Sequence, residues 1–582
     1  MRKYAFLLWA IAIVSAQVSF TGNTETRIGE SSNGFYYNET LINTNLQYGA
    51  FTNWFQLEFS DPPELGSRVN GVRKLRLEYE NGPITLKLGD LYEIWGRGLV
   101  LNSVDDQPID RDTGIRGLSL SYMSDSFTGQ WITGRADISQ STIYALDYNT
   151  RTHNYHLPYN LYGLTINKLI GNHDLGVSFL QSREQHPVNT FPVDTLDIKN
   201  QLSSISYSVT QPSFDFYAEY IMNRSFTFSE NEWDPHKNGR GLYSNLNFYF
   251  KLFSLNLEYI NYHFGDFDPF DRWNVVDNYG YYQPYQNPPI AMYIHENVLM
   301  NRISHQTDFN NEVGLKAEAM GSLTDNIEFL AIYSQSNRTH SWVMNDDYTW
   351  RQQKELSYFP SFEPAAMPYK DFYAELTFNL LQNNLYLKLG YAASEDIVDL
   401  LQNTVTDTSQ ILTYSIASAK TFPLNLSYVI GNGWSIDAKM ELQWLKKGYW
   451  SYNELNNQVV ADSLMSIFLD DEGNRVENEK NSFISLSIGK SPKWSVTFTT
   501  DKTSIKETFG DKESIVNPLE KLLGVDQEKN WINVEFVYHF TTSMRISLMY
   551  GSLKGGLLCT NGVCRIIEPF DDGFKVGLTT VF

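Results

Sequence analysis

Trp434-Ser-Ile-Asp-Ala-Lys-Met-Glu-Leu-Gln-Trp444 alternates without a break. Trp434, Ile436, Ala438, Met440, Leu442 and Trp444 are apolar, and Ser435, Asp437, Lys439, Glu441 and Gln443 between them are polar. Successive side chains of a strand point to opposite faces, so this segment reads as a strand with one apolar and one charged face. A tilted strand needs about 9–11 residues to cross a bilayer, with aromatics at the two interfaces. Trp434–Trp444 meets both conditions. It predicts a strand of a transmembrane barrel, its apolar side turned to lipid.

The pattern recurs along the chain. Leu75, Leu77 and Tyr79 alternate with Lys74, Arg76 and Glu78, and Asn81-Gly82-Pro83 turns the chain into Ile84, Leu86 and Leu88. Phe214, Phe216, Ala218 and Tyr220 follow Gln211-Pro212-Ser213, and Gly431-Asn432-Gly433 precedes Trp434. Such turns use Gly and Asn to reach positive φ and Pro to preset a bend. Long polar connections lie between the hairpins, at 93–115, 184–200, 223–240, 265–310, 338–370, 446–480, 502–530 and 552–572. Short turns alternating with long loops are the periplasmic and extracellular ends of an outer-membrane barrel. Counting about 11 short-turn hairpins, an opening strand near 18–28 and a closing strand gives about 24 strands under the even-number rule. The fold class is all-β: one large antiparallel up-and-down barrel.

Arg2 and Lys3, the apolar run Tyr4–Val14 and Val14-Ser15-Ala16 form a secretory signal with a small-residue cleavage site. Residues 1–16 are therefore expected to be removed, and 17–582 to form the barrel without a separate plug domain. No later run approaches the roughly 20 apolar residues of a spanning helix. The 37 Tyr, 35 Phe and 13 Trp accompany a mean hydropathy of only −0.35. That combination suits strands with one face in lipid and one in water. A net charge of −22 without a basic run argues against nucleic acid.

With apolar faces outward, Lys74, Arg76, Glu78, Asp437, Lys439 and Glu441 face the lumen. Mixed charge there suits either a hydrated channel or a packed interior satisfied by cross-strand pairs. Loops 93–115 and 265–310 are candidates to narrow the lumen. The first, with its flanks, holds Asp90, Glu93, Arg97, Arg111, Asp112 and Arg116 among apolar residues, a composition that predicts an inward-folded charged constriction. Salt-bridging at the rim is the plainer alternative. Asp266, Asp268 and Asp271 offer clustered oxygens to calcium but lack the glycine and closing glutamate of an EF-hand. No cofactor is expected.

Cys559 and Cys564 enclose Thr560-Asn561-Gly562-Val563. Asn-Gly favours a two-residue turn that sets Thr560 opposite Val563 and Cys559 opposite Cys564. In an oxidising compartment a disulfide is expected there. The closing strand alternates Phe574, Val576, Leu578, Thr580 and Phe582, a terminal aromatic that resembles the signal read by barrel-assembly machinery. No G-x-S-x-G, H-E-x-x-H, P-loop or dinucleotide motif is present, and the ten histidines are scattered, so the chain does not read as an enzyme.

Gly89-Asp90-Leu91-Tyr92-Glu93 with Gly96-Arg97-Gly98-Leu99, Asn287-Pro288-Pro289, Asn311-Glu312-Val313-Gly314 with Ala317-Glu318, and Gly555-Gly556-Leu557 with Cys559 and Gly562-Val563-Cys564-Arg565 resemble an uncharacterised family of Bacteroidota-type outer-membrane proteins. The resemblance implies a barrel in the outer membrane of a Gram-negative bacterium and no known activity. The residues favour a passive channel for small hydrophilic solutes, narrowed by 93–115 and 265–310. The competing class is an occluded barrel whose outer loops bind a surface or secretion partner.

Overall fold

The computed structural model describes residues 18–582 apart from 33, 143–148, 189–193, 266–275, 277–278, 345–349, 356–357, 364–365, 407–408, 454–457, 460–464, 471, 506–528 and 561–562. The predicted signal and Asp266, Asp268 and Asp271 lie outside the described residues.

Twenty-four antiparallel strands form one closed wall. In chain order they begin with β1 (Val18–Ser31), β2 (Tyr36–Tyr48), β3 (Phe51–Ser60), β4 (Asn70–Asn81), β5 (Ile84–Leu91), β6 (Ile115–Ser124), β7 (Phe127–Gln140) and β8 (Tyr155–Ile170). There follow β9 (His173–Val188), β10 (Asp194–Gln211), β11 (Phe214–Ser229), β12 (Glu232–Tyr249), β13 (Phe253–His263), β14 (Asn311–Thr324), β15 (Ile327–Asn337) and β16 (Tyr369–Leu380). The wall ends with β17 (Leu385–Thr406), β18 (Ser409–Gly431), β19 (Trp434–Asn453), β20 (Glu479–Lys490), β21 (Trp494–Thr503), β22 (Asn530–Thr541), β23 (Met544–Leu553) and β24 (Phe570–Val581).

Each strand pairs with its sequence neighbour, and β24 pairs with β1 from Asn23↔Val581 to Ser31↔Gly573. Closure is complete to the last residue. Phe582 exchanges two backbone hydrogen bonds with Gly22, at 2.9 and 3.0 Å, and its ring stacks on Phe20 at 5.2 Å. A membrane requires this, because an unpaired edge would leave backbone groups without partners in hydrocarbon.

The alternation read from sequence sorts the two faces. Leu75, Leu77, Leu86, Leu88, Trp434 and Trp444 are exposed on the outer surface, whereas Lys74 and Glu441 are buried inside. Segments 184–200 and 223–240, expected as loops, lie mostly in strands. The β9–β10 ladder runs out to Val188↔Asp194 and the β11–β12 ladder to Ser229↔Glu232. Above the bilayer both faces of a strand meet water, so no apolar alternation marks it in the sequence.

Candidate functional site

Two connections turn into the lumen: 92–114, between β5 and β6, and 279–310, the continuously described part of the segment between β13 and β14. In the first, Trp95, Leu99, Val100 and Leu101 are buried and join inward residues of the wall, among them Ile132, Leu161, Leu180 and Ile221, in one apolar core. Tyr285, Ile290, Ala291 and Met292 of the second connection belong to the same core. The two connections are sewn together. Asn102 N–H donates to Tyr285 O at 2.9 Å, Asn287 N–H to Gly98 O at 3.1 Å, and the Gln286 amide to Leu99 O.

Gly96-Arg97-Gly98 makes this approach possible. Both glycines have positive φ, +60° and +85°, and a Cβ on Gly98 would lie 2.6 Å from Asn287 O. Between them the Arg97 N–H donates to Glu219 Oε2 at 3.0 Å, and its guanidinium lies 4.9 Å from the centre of the Tyr217 ring. Trp95 donates its indole N–H to Gln130 Oε1 at 2.7 Å. The first connection is thus fastened to β7 and β11.

Residues 295–305 reach the opposite wall. Val298 and Leu299 donate their N–H groups to the Glu441 carboxylate at 2.9 and 2.8 Å, and Arg302 grips Asp501 with both guanidinium nitrogens. His295 meets Asp371 at 3.1 Å and His305 meets Asp396 at 3.0 Å. Residues 295–305 therefore act as a strap pinned on β16, β17, β19 and β21. Burial alone would drive the proton off His305, but Asp396 and then Glu312 outweigh it and push its pKa up to about 10.

The sequence candidates fall into three places. Glu93, Arg97, Arg111 and Asp112 lie on the inward connection: Glu93 pairs with Lys87 at 2.9 Å, Asp112 with Lys74 at 3.2 Å, and Arg111 donates to Pro284 O at 3.2 Å. Asp437, Lys439 and Glu441 share the inner face of β19; the first two are exposed in the lumen and the third is covered by the strap. Asp90 and Arg116 are a correction. They sit opposite one another at 3.2 Å on the outer face, because the alternation from Ile84, Leu86 and Leu88 carries Asp90 outward. Sequence spacing gave no sign of Asp501 and Asp396 as anchors, although both are carboxylates in wall strands.

Above β1–β4 and β24 lies a cavity of about 550 Å³. Glu25, Arg27, Glu39, Glu58, Arg73 and Lys575 line its wall side, with Arg27–Glu39 at 2.6 Å and Arg73–Glu58 at 3.4 Å. The hairpin Gly556–Ile567 contributes Leu558 and Ile567 to the lining. Its backbone register sets Cys559 opposite Cys564 and Thr560 opposite Val563. Next to Cys564, the buried Arg565 donates to Ile109 O at 3.1 Å, Asp110 Oδ2 at 3.1 Å, Thr150 O at 3.2 Å and Arg151 O at 2.6 Å. The hairpin is thereby latched to two neighbouring connections. His153 joins the latch through Asp110 O at 2.7 Å. Burial lowers its pKa, only partly offset by Asp110, and the nearby Arg565 lowers it further.

A closed antiparallel wall with an apolar outer belt defines a transmembrane β-barrel of the outer-membrane type. Such barrels belong to the outer membrane of Gram-negative bacteria. The chain belongs to the family described as "Family of unknown function (DUF6029)", whose family model matches residues 13–582. Among curated proteins no match is found.

Among solved structures it is similar to the siderophore receptor PirA from Pseudomonas aeruginosa, at 9% identity and a TM-score of 0.44, covering 97% of this chain and 80% of that one. It is also similar to the copper transporter OprC, at 10% identity and a TM-score of 0.41, over 97% of this chain and 80% of that one. The alcaligin receptor FauA from Bordetella pertussis has 8% identity and a TM-score of 0.39, over 97% and 76%. At these identities the likeness concerns the fold alone. The expected passive channel is corrected. The lumen holds a buried apolar core where loops were expected only to narrow a watery pore.

Proposed function

We propose that the protein is a solute-capturing barrel, closed at rest, in the outer membrane of a Bacteroidota-type bacterium. Its vestibule is the cavity under the Gly556–Ile567 hairpin, and its gate is the pair of segments 92–114 and 279–310. The observation that carries this is the shared apolar core of the two connections inside the lumen, pinned to far walls by Glu219, Glu441 and Asp501. Carboxylates outnumber cations around the vestibule, which favours a small hydrophilic solute bearing a cationic group. Residues 1–16 serve as the export signal, Cys559 and Cys564 form a disulfide that staples the lid, and Phe582 is read by the assembly machinery. The chemistry is binding and passage; no catalytic role is assigned.

Single-channel recording of the folded barrel in a planar bilayer tests the closed state. Wild type should stay silent or flicker, whereas Glu441→Ala with Asp501→Asn should conduct for long intervals. Steady, salt-dependent conductance from wild type would end the proposal. Mass spectrometry of the alkylated, unreduced protein should show neither cysteine modified.

A further inference from the structure

The outer face of β9–β12 carries a row of cations at one height. Arg183 shares its face with Val177 and Phe179, Lys199 with Ile205, and Arg224 with Tyr220 and Met222, all exposed apolar residues. Register joins the row: Asn160↔Arg183, Arg183↔Lys199, Gln201↔Arg224 and Met222↔Arg240. Cations on a wall that ends in water would by themselves mean little. These stand directly above the lipid-facing belt.

Their height is fixed by counting from the short turns. Arg183 is ten residues beyond His173, the start of β9, and Arg224 is ten beyond Phe214, the start of β11. At about 3.3 Å per residue and a tilt of about 40°, ten residues climb about 25 Å, the height of the apolar band of such barrels. An outward Arg or Lys is costly at the bilayer midplane and tolerated at its edge. The row therefore marks the outer interface. Aromatic rings belong there too: Lys199 lies 4.5 Å from the centre of the Phe226 ring and 4.6 Å from that of Trp233, and Arg183 lies 5.7 Å from Trp233.

The row is also short of carboxylates. Farther round the same face, Arg116 is paired with Asp90 and Arg135 with Asp137 at 2.8 Å. Among the described residues, Arg183, Lys199 and Arg224 have no ion-pair partner. Asp197, two residues beyond Lys199 on its strand, is the carboxylate nearest to them in register. In a chain with 67 acidic and 45 basic residues, cations gathered in this way on adjacent strands answer to anions outside the protein.

We propose that Arg183, Lys199 and Arg224 form a lateral site for the phosphorylated headgroup of an outer-leaflet lipid. Planar guanidinium forks and a flexible ammonium bind phosphate oxygens directly, and Val177, Ile205 and Met222 below them receive the acyl chains. The site is separate from the vestibule and stands whether or not a solute binds there.

The test uses the full folded barrel in detergent, incubated with diphosphorylated lipid A, with the same lipid after phosphatase treatment, or with inorganic phosphate. Bound lipid is counted by native mass spectrometry after gel filtration. Wild type should keep the diphosphorylated lipid, lose most of the dephosphorylated one, and resist displacement by millimolar phosphate. Arg183→Gln/Lys199→Gln/Arg224→Gln should retain at least tenfold less. Arg135→Gln, on the same face but paired with Asp137, should retain as much as wild type. Heat-modifiable gel mobility reports folding, and the single variants Lys199→Gln and Arg224→Gln repeat the measurement should the triple variant fail to fold. Equal retention of both lipid forms, full displacement by inorganic phosphate, or unchanged retention by the folded variants would each overturn the site.

Discussion

Arg565 fastens the lid with one guanidinium, which reaches carbonyls of Ile109, Thr150 and Arg151 and the carboxylate of Asp110. Removing it leaves buried acceptors without donors, a loss larger than any one of these bonds. Arg565→Ala should raise hydrogen exchange of backbone amides in 556–567 at least tenfold, and Arg565→Lys, with no planar fork, should restore little of it. His153 adds a pH dependence. Its buried ring is disposed to be neutral in the latched state, while in an opened loop it would take a proton near pH 6.5. Opening then takes up a proton below that value, so the latch is full above pH 6.5 and weakens as the pH falls further. Exchange in 556–567 should accelerate between pH 7.5 and 5 in wild type and change much less in His153→Gln. An acid-insensitive lid in both proteins would show that the ring plays no part.

The strap is an element that local sequence could not disclose. Val298 and Glu441 are 143 residues apart, and Arg302 and Asp501 are 199 apart, so no spacing rule connects them. The wall strands were legible because lipid demands an apolar face along their whole crossing; the strap answers only to partners on the far wall. Membership of a charged motif points Asp90 and Arg116 into the lumen, whereas the alternation of their own strands turns them outward. Glu93, Arg97, Arg111 and Asp112, deeper in the same motif, lie on the 92–114 connection. Glu441→Ala removes the acceptor for two N–H groups in the strap, a loss of about 2 kcal/mol for buried donors. The strap should then become accessible to limited proteolysis near 298–305 while the wall stays folded. His305 gives a second control. Its pKa is raised to about 10 in the pinned strap, so its contribution is complete below pH 6.5 and is lost as the pH climbs towards 10. Cleavage near 305 should rise over that window, and His305→Gln should remove the dependence.

At the scale of the whole barrel, stability depends on a seam that joins the two ends of a long chain. β1 and β24 pair from Asn23↔Val581 to Ser31↔Gly573, and the pairing runs to the last residue of the chain. Phe582 supplies two backbone hydrogen bonds to Gly22 and a ring on Phe20, at the end of the wall where the short turns lie. Apolar alternation announced the closing strand, yet nothing local announced which residue of β1 would face it, because pairing across the seam is the most distant contact in the sequence. Deleting Phe582 removes both bonds and exposes the Gly22 N–H and C=O at the membrane interface, where water still reaches them. The wall should therefore close, but late and with a frayed edge. Refolding into detergent, followed by the heat-modifiable band on gels, should show a lower folded yield and a slower approach to it, with hydrogen exchange raised over 18–24 and little changed over 26–31. Phe582→Tyr keeps the backbone bonds and a ring that can stack, and should refold as wild type does. A deletion variant with wild-type yield and an unaltered exchange pattern would show that the seam is secured higher up, from Thr24↔Thr580 to Ser31↔Gly573, and that the terminal residue adds nothing to closure.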